Sequence, residues 1–223
     1  MLGQRWVDSA RDALGMLFPV RCAGCGRPDR GVCAQCRAAL GTTSPASELL
    51  APELLLVTSV NYDERIKRII DAYKERGRVD AAAVLAPLLR QSIAALVQRQ
   101  WSLANSGGLL LVPVPSTRAA TARRGYDHLQ LLAQRALPRA KTVSVLRAVR
   151  KVQDQSTLSR DAREQNLHAA LVAHPSVAGQ RCIVIDDLVT TGATVREAVR
   201  ALRTAGGKPL GVAAIARVVK HYG

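Results

Sequence analysis

The chain has 223 residues, enough to bury a sizeable core and to hold one domain of about 150 residues or more plus an appendage. Its 32 Lys and Arg against 17 Asp and Glu leave a net charge of +15, which points to phosphate-rich partners, either a polyanionic small substrate or a nucleic acid. An aromatic content of 3% argues against a single-strand platform built on stacked bases. No apolar run reaches the roughly 18 residues of a membrane span, and the opening Met-Leu-Gly-Gln-Arg-Trp lacks the order of a secretory signal, so a cytoplasmic location is expected.

Residues 2–18 place Leu2, Trp6, Ala10, Leu14 and Leu17 on one stripe, which predicts an amphipathic helix. Next come Cys22, Cys25, Cys33 and Cys36, two Cys-x-x-Cys pairs seven residues apart. Four such thiolates make a closed tetrahedral Zn²⁺ site with no position left for water, hence a structural knuckle and not a catalytic centre. The competing reading is two disulfides or a redox pair, which suits a cytosolic chain less well. Cys182, inside an apolar run, reads as a buried small hydrophobe.

Residues 41–53, rich in Thr, Ser and Pro, read as a linker between a knuckle over 1–45 and a larger domain over 54–223. A strand is predicted from Leu54, then a helix over 62–77 that buries Ile66, Ile69, Ile70 and Tyr73. Lys67 and Lys74 share a face of it and could point together toward an anion, or simply face water. A second helix over 79–98 contains Pro87, a kink or a delayed start. The apolar run from Leu109 to Pro115 predicts a buried strand. It leads into Ser116-Thr-Arg-Ala-Ala-Thr-Ala-Arg-Arg-Gly-Tyr126, where Arg118, Arg123 and Arg124 among small residues and hydroxyls suit a diphosphate, because guanidinium forks bind phosphate oxygens in pairs.

A helix over 129–137 and a strand over 142–146 precede a polar stretch, 147–166, of a length that in a compact domain is functional or disordered. Between Ser116 and Asn166 lie eleven Lys and Arg against four Asp and Glu. His128, His168, His174 and His221 show no ligand spacing and read as ordinary histidines. After a possible strand over 168–173, the central motif is a strand over 182–185, then Asp186-Asp-Leu-Val-Thr-Thr-Gly-Ala-Thr194, then a helix from Val195. Ligands collect at the carboxyl ends of parallel strands, where Asp186 and Asp187 should emerge partly exposed. Two adjacent carboxylates suit a pair of sugar hydroxyls or a Mg²⁺. Thr190, Thr191 and Thr194 offer hydroxyls, and Gly192 lets a phosphate approach free amides at a helix start. This pattern resembles the phosphoribosyl-diphosphate (PRPP) signature of type I phosphoribosyltransferases. A closing strand is predicted over 209–219 after Gly206-Gly207.

The four-cysteine knuckle, the 62–77 helix, Pro113-Val-Pro115 with Arg123-Arg-Gly-Tyr126, the 155–166 stretch and the Asp-Asp-x-x-Thr-Thr-Gly-x-Thr turn occur together in this order. In that combination the chain resembles the ComF/GntX family of phosphoribosyltransferase-like proteins, named for bacterial competence in DNA uptake. The resemblance implies an α/β core, a parallel sheet flanked by helices, with the amino-terminal knuckle and helices as a hood. It places Asp186 and Asp187 at the ribose hydroxyls, Thr190, Thr191, Gly192 and Thr194 at the 5′-phosphate, and Ser116 and Arg118 in the diphosphate loop. Gln155, Leu158, Arg160, Arg163 and Asn166 match the family's long loop. Where the family commonly has Asn-Gln this chain has Asp127-His128, and where purine-salvage relatives carry an Asp it has Thr190, which disfavours a hypoxanthine-guanine acceptor. The implied function is a PRPP-binding transferase or transferase-like protein with Mg²⁺. The alternative is a non-catalytic DNA-uptake accessory protein that binds single-stranded DNA or competence proteins.

Overall fold

The computed structural model describes residues 21–28, 31–41, 43–100, 108–149 and 169–218. The helix expected over 2–18 and the loop residues Gln155, Leu158, Arg160, Arg163 and Asn166 lie outside them. The chain forms two compact units, Met1–Thr42 with Asp63–Val84, and Thr43–Tyr62 with Leu85–Gly223.

In the first unit a turn over 23–25 is closed by an antiparallel bridge from Arg21 to Pro28, and α1 (Ala34–Gly41) follows. Helix α2 (Glu64–Glu75) starts where Asp63 accepts the Ile66 amide at 2.8 Å, and it buries Ile66, Ile69, Ile70 and Tyr73 as its stripe predicts. The knuckle sits directly on α2: a Cβ on Gly24 would stand 3.0 Å from Cys36 Sγ and 3.3 Å from Ile69 Cδ1, so a larger residue would crowd both. Arg78, just before a 3₁₀ turn at Val79–Ala81, donates to the carbonyls of Arg21 at 3.0 Å and Gly31 at 3.4 Å. Asp80 holds its guanidinium at 2.8 Å.

The second unit is built on a six-stranded sheet in the order β1-β2-β8-β7-β3-β4. Its strands are β1 (Ala46–Ala51), β2 (Leu54–Asn61), β3 (Leu109–Pro113), β4 (Lys141–Thr142), β7 (Arg181–Val189) and β8 (Lys208–Arg217). Only β1 runs antiparallel; every other pairing is parallel. A separate antiparallel pair, β5 (Leu146–Ala148) and β6 (Leu171–Ala173), flanks the 150–168 stretch. The apolar runs form strands buried on both faces, as a sheet with helical crossovers requires. Helix α6 (Ala193–Thr204) lays Val195, Ala198, Val199 and Leu202 on one face, against Leu56, Val112, Val184 and Val212. Alternate residues of β8 face the other way, toward α3 (Ala82–Arg99): a Cβ on Gly211 would lie 2.9 Å from Leu96 Cδ1.

Helix α3 continues through Pro87, which offers no N–H. Buried hydroxyls bond backbone carbonyls on α3 and β8: Ser59 donates to the Leu88 carbonyl, and Ser92 to the Ala214 carbonyl at 2.6 Å. The Val79–Arg99 segment is apolar and long enough to cross a membrane by composition, yet these bonds and buried Leu85, Leu89, Ile93 and Leu96 make it a core helix.

Four expectations need correction. Residues 46–51, within the expected linker, form the edge strand β1. The strand over 142–146 divides into β4 and β5. The Ser116–Tyr126 loop contains a short helix, α4 (Arg118–Arg124), capped by Thr117. The strand before the acidic pair does not stop at Ile185 but runs on to Val189.

Candidate functional site

That longer strand sets the geometry of the acidic pair. On one side β7 pairs with β3 only as far as Pro113 opposite Ile185, with one more bond from the Val114 amide to the Ile185 carbonyl at 3.0 Å. On the other side pairing with β8 continues to Val189 opposite Arg217. Asp186 and Asp187 therefore stand where the sheet has lost one neighbour, at the carboxyl end of β3, and they alternate in direction. Asp186 is half-buried. Asp187, expected to be partly exposed, is only 1% exposed, because helix α5 (His128–Ala136) covers it.

Burying a carboxylate requires partners. Oδ1 of Asp187 accepts the Leu188 amide at 2.8 Å, and Oδ2 meets Nε2 of His128 at 3.1 Å. Asp186 Oδ1 accepts the Asp187 amide at 2.9 Å. His128 opens α5, whose cap Asp127 accepts the amides of Leu129 and Gln130 at 3.0 and 3.1 Å. The other ring nitrogen, Nδ1, lies 3.2 Å from Ser116 Oγ and 3.4 Å from Nη2 of Arg124. His128, read as an ordinary histidine, thus joins the segment after β3 to the acidic strand. The only signal for it was the Asp127-His128 pair standing where the family commonly has Asn-Gln.

Beyond β7 the chain turns at Gly192, whose φ of 79° favours glycine and which begins α6. A Cβ there would also sit 3.2 Å from Leu50 Cδ2. Thr191 Oγ1 accepts the Ala193 amide at 3.3 Å, and Arg196 donates to the Thr191 carbonyl at 3.0 Å. The first amide to enter the helical ladder is that of Arg196, bonded to the Gly192 carbonyl at 2.9 Å. The amides of Thr194 and Val195 therefore belong to the helix's open first turn. Thr190 is exposed, and Thr191 and Thr194 are half-buried.

The predicted diphosphate segment is partly assembled with this site. Ser116 reaches it through His128, and Arg124 is half-buried against the same ring; Arg123 is exposed. Arg118 begins α4, and its side chain lies outside the described residues. The Tyr126 hydroxyl is buried and has no hydrogen-bond partner among the described residues. One strand over from β7, a cavity of about 560 Å³ opens at the carboxyl ends of β2 and β8, lined by Ser47, Glu48, Thr58, Asn61, Tyr62 and Arg217. Glu48 and Arg217 form an ion pair in its wall. Lys67 and Lys74 lie on α2 in the first unit, Lys67 at 3.9 Å from Glu64.

The cysteine cluster is complete: the sulfurs of Cys22, Cys25, Cys33 and Cys36 lie within 4.8 Å of one another. Burial pushes the Cys22 thiol up, but the amides of Cys33, Cys25 and Gly24 outweigh it and bring it down to about 6. Burial, together with the neighbouring sulfurs, pushes Cys36 up to about 12. One sulfur poised as thiolate and another that needs a cation to ionise suit a thiophilic metal such as Zn²⁺.

A parallel sheet with an acidic strand end followed by a glycine-led helix start defines a phosphoribosyltransferase-type domain, and residues 119–221 match the phosphoribosyl transferase domain family. Among known proteins the chain is 30% identical over 208 residues to the DNA utilization protein YhgH of Salmonella typhi, covering 89% of this chain and 90% of that one. It is 32% identical over 113 residues to Competence protein F of Haemophilus influenzae, covering 48% and 49%. The chain belongs to the ComF/GntX family of phosphoribosyltransferase-like proteins.

Proposed function

We propose that this protein binds PRPP, with residues 54–223 as the phosphoribosyltransferase-like domain and the knuckle over 1–45 as a Zn²⁺-stabilised appendage. The observation that carries the reading is the position of Asp186 and Asp187, at the strand edge that β3 vacates and five residues before a helix start led by Gly192. Asp186 and Asp187 accept the ribose hydroxyls. The Thr194 and Val195 amides, with the hydroxyls of Thr190, Thr191 and Thr194, hold the 5′-phosphate. Ser116 and Arg118 serve the diphosphate, and Arg123, Arg124, Gln155 and Arg163 are accessory contacts. Mg²⁺ supplies charge neutralisation for the diphosphate when bound, and the carboxylate oxygens here are the hard ligands it prefers.

The cavity beside Arg217 has the volume of a small-molecule site and is where we place an acceptor. Its wall offers the Asn61 amide and the Glu48–Arg217 pair, which suits a polar acceptor with both donor and acceptor groups. A cytoplasmic setting suits thiols kept reduced for a metal. Calorimetric titration with PRPP and Mg²⁺ tests the reading: saturable binding at one site per chain is expected, and no heat at millimolar ligand overturns it.

A second reading is supported by the names of the relatives, a DNA utilization protein and a competence protein, and by the charge of +15. It makes the protein a DNA-uptake accessory factor that binds single-stranded DNA or competence proteins through its basic surface. PRPP binding and this role are compatible.

A further inference from the structure

His128 is flanked by groups whose chemistry favours one arrangement of its ring. The Asp187 carboxylate can only accept, so Nε2, 3.1 Å from it, carries the hydrogen. A guanidinium can only donate, so Nδ1, with Arg124 Nη2 at 3.4 Å, presents its lone pair. Ser116 Oγ, 3.2 Å from that nitrogen, shares the same lone pair with Arg124 when it points its single hydrogen at the ring. The result is a directional chain, Ser116 O–H to His128 Nδ1 and His128 Nε2–H to Asp187, with His128 and Asp187 both buried.

We propose that His128 is a positioning residue that couples the two ends of the site, so that a ligand bearing both a diphosphate and ribose hydroxyls is bound better than its two fragments separately. The proposal rests on the PRPP reading above. A diphosphate oxygen needs a donor, and Ser116 can serve it only by turning its hydrogen away from Nδ1. The ring then donates less strongly through Nε2, because linked hydrogen bonds polarise one another. Asp187 is left a better acceptor for the ribose hydroxyls. The reverse also holds: a hydroxyl donating to Asp187 weakens the His128 bond, lowers the pull of Nδ1 and releases Ser116 to the diphosphate. Linkage demands this reciprocity.

The test measures the Kd of inorganic diphosphate with and without saturating ribose 5-phosphate, Mg²⁺ present throughout, in the full chain. The ratio of the two values should be about two- to tenfold more favourable in the parent than in H128L or S116A, since the repulsion between the two anions is common to all. H128Q should keep the parent ratio, because a side-chain amide offers the same donor and acceptor at the two ends. If H128L does not fold, S116A carries the test, since it leaves the buried His128–Asp187 bond in place. Fragments that bind with the same ratio in parent and S116A overturn the coupling and leave the PRPP site standing. Failure of PRPP and both fragments to bind overturns the PRPP reading and the coupling together.

Discussion

Glu197, on the helix that begins after Gly192, accepts the Leu171 amide at 3.0 Å, and so ties α6 to β6. Arg200 completes the clamp: it donates to Glu197 at 2.7 Å and to the Leu171 carbonyl at 2.8 Å. Burial alone would raise the Glu197 carboxyl, but the Arg200 guanidinium and the Leu171 amide outweigh it and hold it below its ordinary value. A depressed carboxyl contributes stability above the unfolded-state pKa, about 4.3, and loses it as pH falls through the lower folded value. E197A should therefore destabilise the protein by about 1.5–3 kcal/mol at pH 7 and by less at pH 3, measured by urea unfolding at both. An equal loss at the two pH values would mean the clamp is not charge-dependent.

Asp186 and Asp187 should respond differently to the same change. D186N removes charge from a half-buried side chain and should weaken PRPP binding about tenfold or more with melting unchanged. D187N alters a buried group bonded to His128 and the Leu188 amide, and should lower the melting temperature as well as the affinity. Calorimetry and thermal melting on the two variants separate these outcomes; unchanged PRPP affinity in both would remove the acidic pair from the site.

Purified protein should contain about one zinc per chain, bound by Cys22, Cys25, Cys33 and Cys36. Because every ligand must be a thiolate and Cys36 lies near 12 without metal, zinc affinity should rise with pH and binding should release protons. A chelator should melt the first unit, where Gly24 packs on α2 and Arg78 holds the carbonyls of Arg21 and Gly31. Metal analysis finding no zinc, with the thiols oxidised in pairs, would count against it.

If the basic surface binds single-stranded DNA, affinity should fall steeply between low and moderate salt, as neutralised phosphates release counterions. R123A is the informative variant, since Arg123 is exposed while Arg124 is turned onto His128. The salt slope should drop by about 0.7 on that substitution. Filter binding that shows no DNA retention at low salt rejects the role.

What the sequence determined by itself was local. The apolar runs at 109–113 and 182–185, the stripes of α2 and α6, the cysteine spacing and the Asp-Asp-to-Gly192 turn were legible because strand and helix periodicity and a metal's ligand spacing are written over a few residues. Pairing across the chain is not. Residues 46–51 carry no apolar face and read as linker, yet β2 offers them backbone partners and they become an edge strand. β7 runs four residues past Ile185 because β8 continues beside it, and that extension carries Asp187 under α5 instead of into solvent. The partnership of Ser116, His128 and Asp187 spans 71 residues of sequence, and only the folding of α5 over the end of β7 brings the ring between them. A hydrogen bond has no sequence signature when its members meet through the topology of a sheet and not through the repeat of a helix or strand.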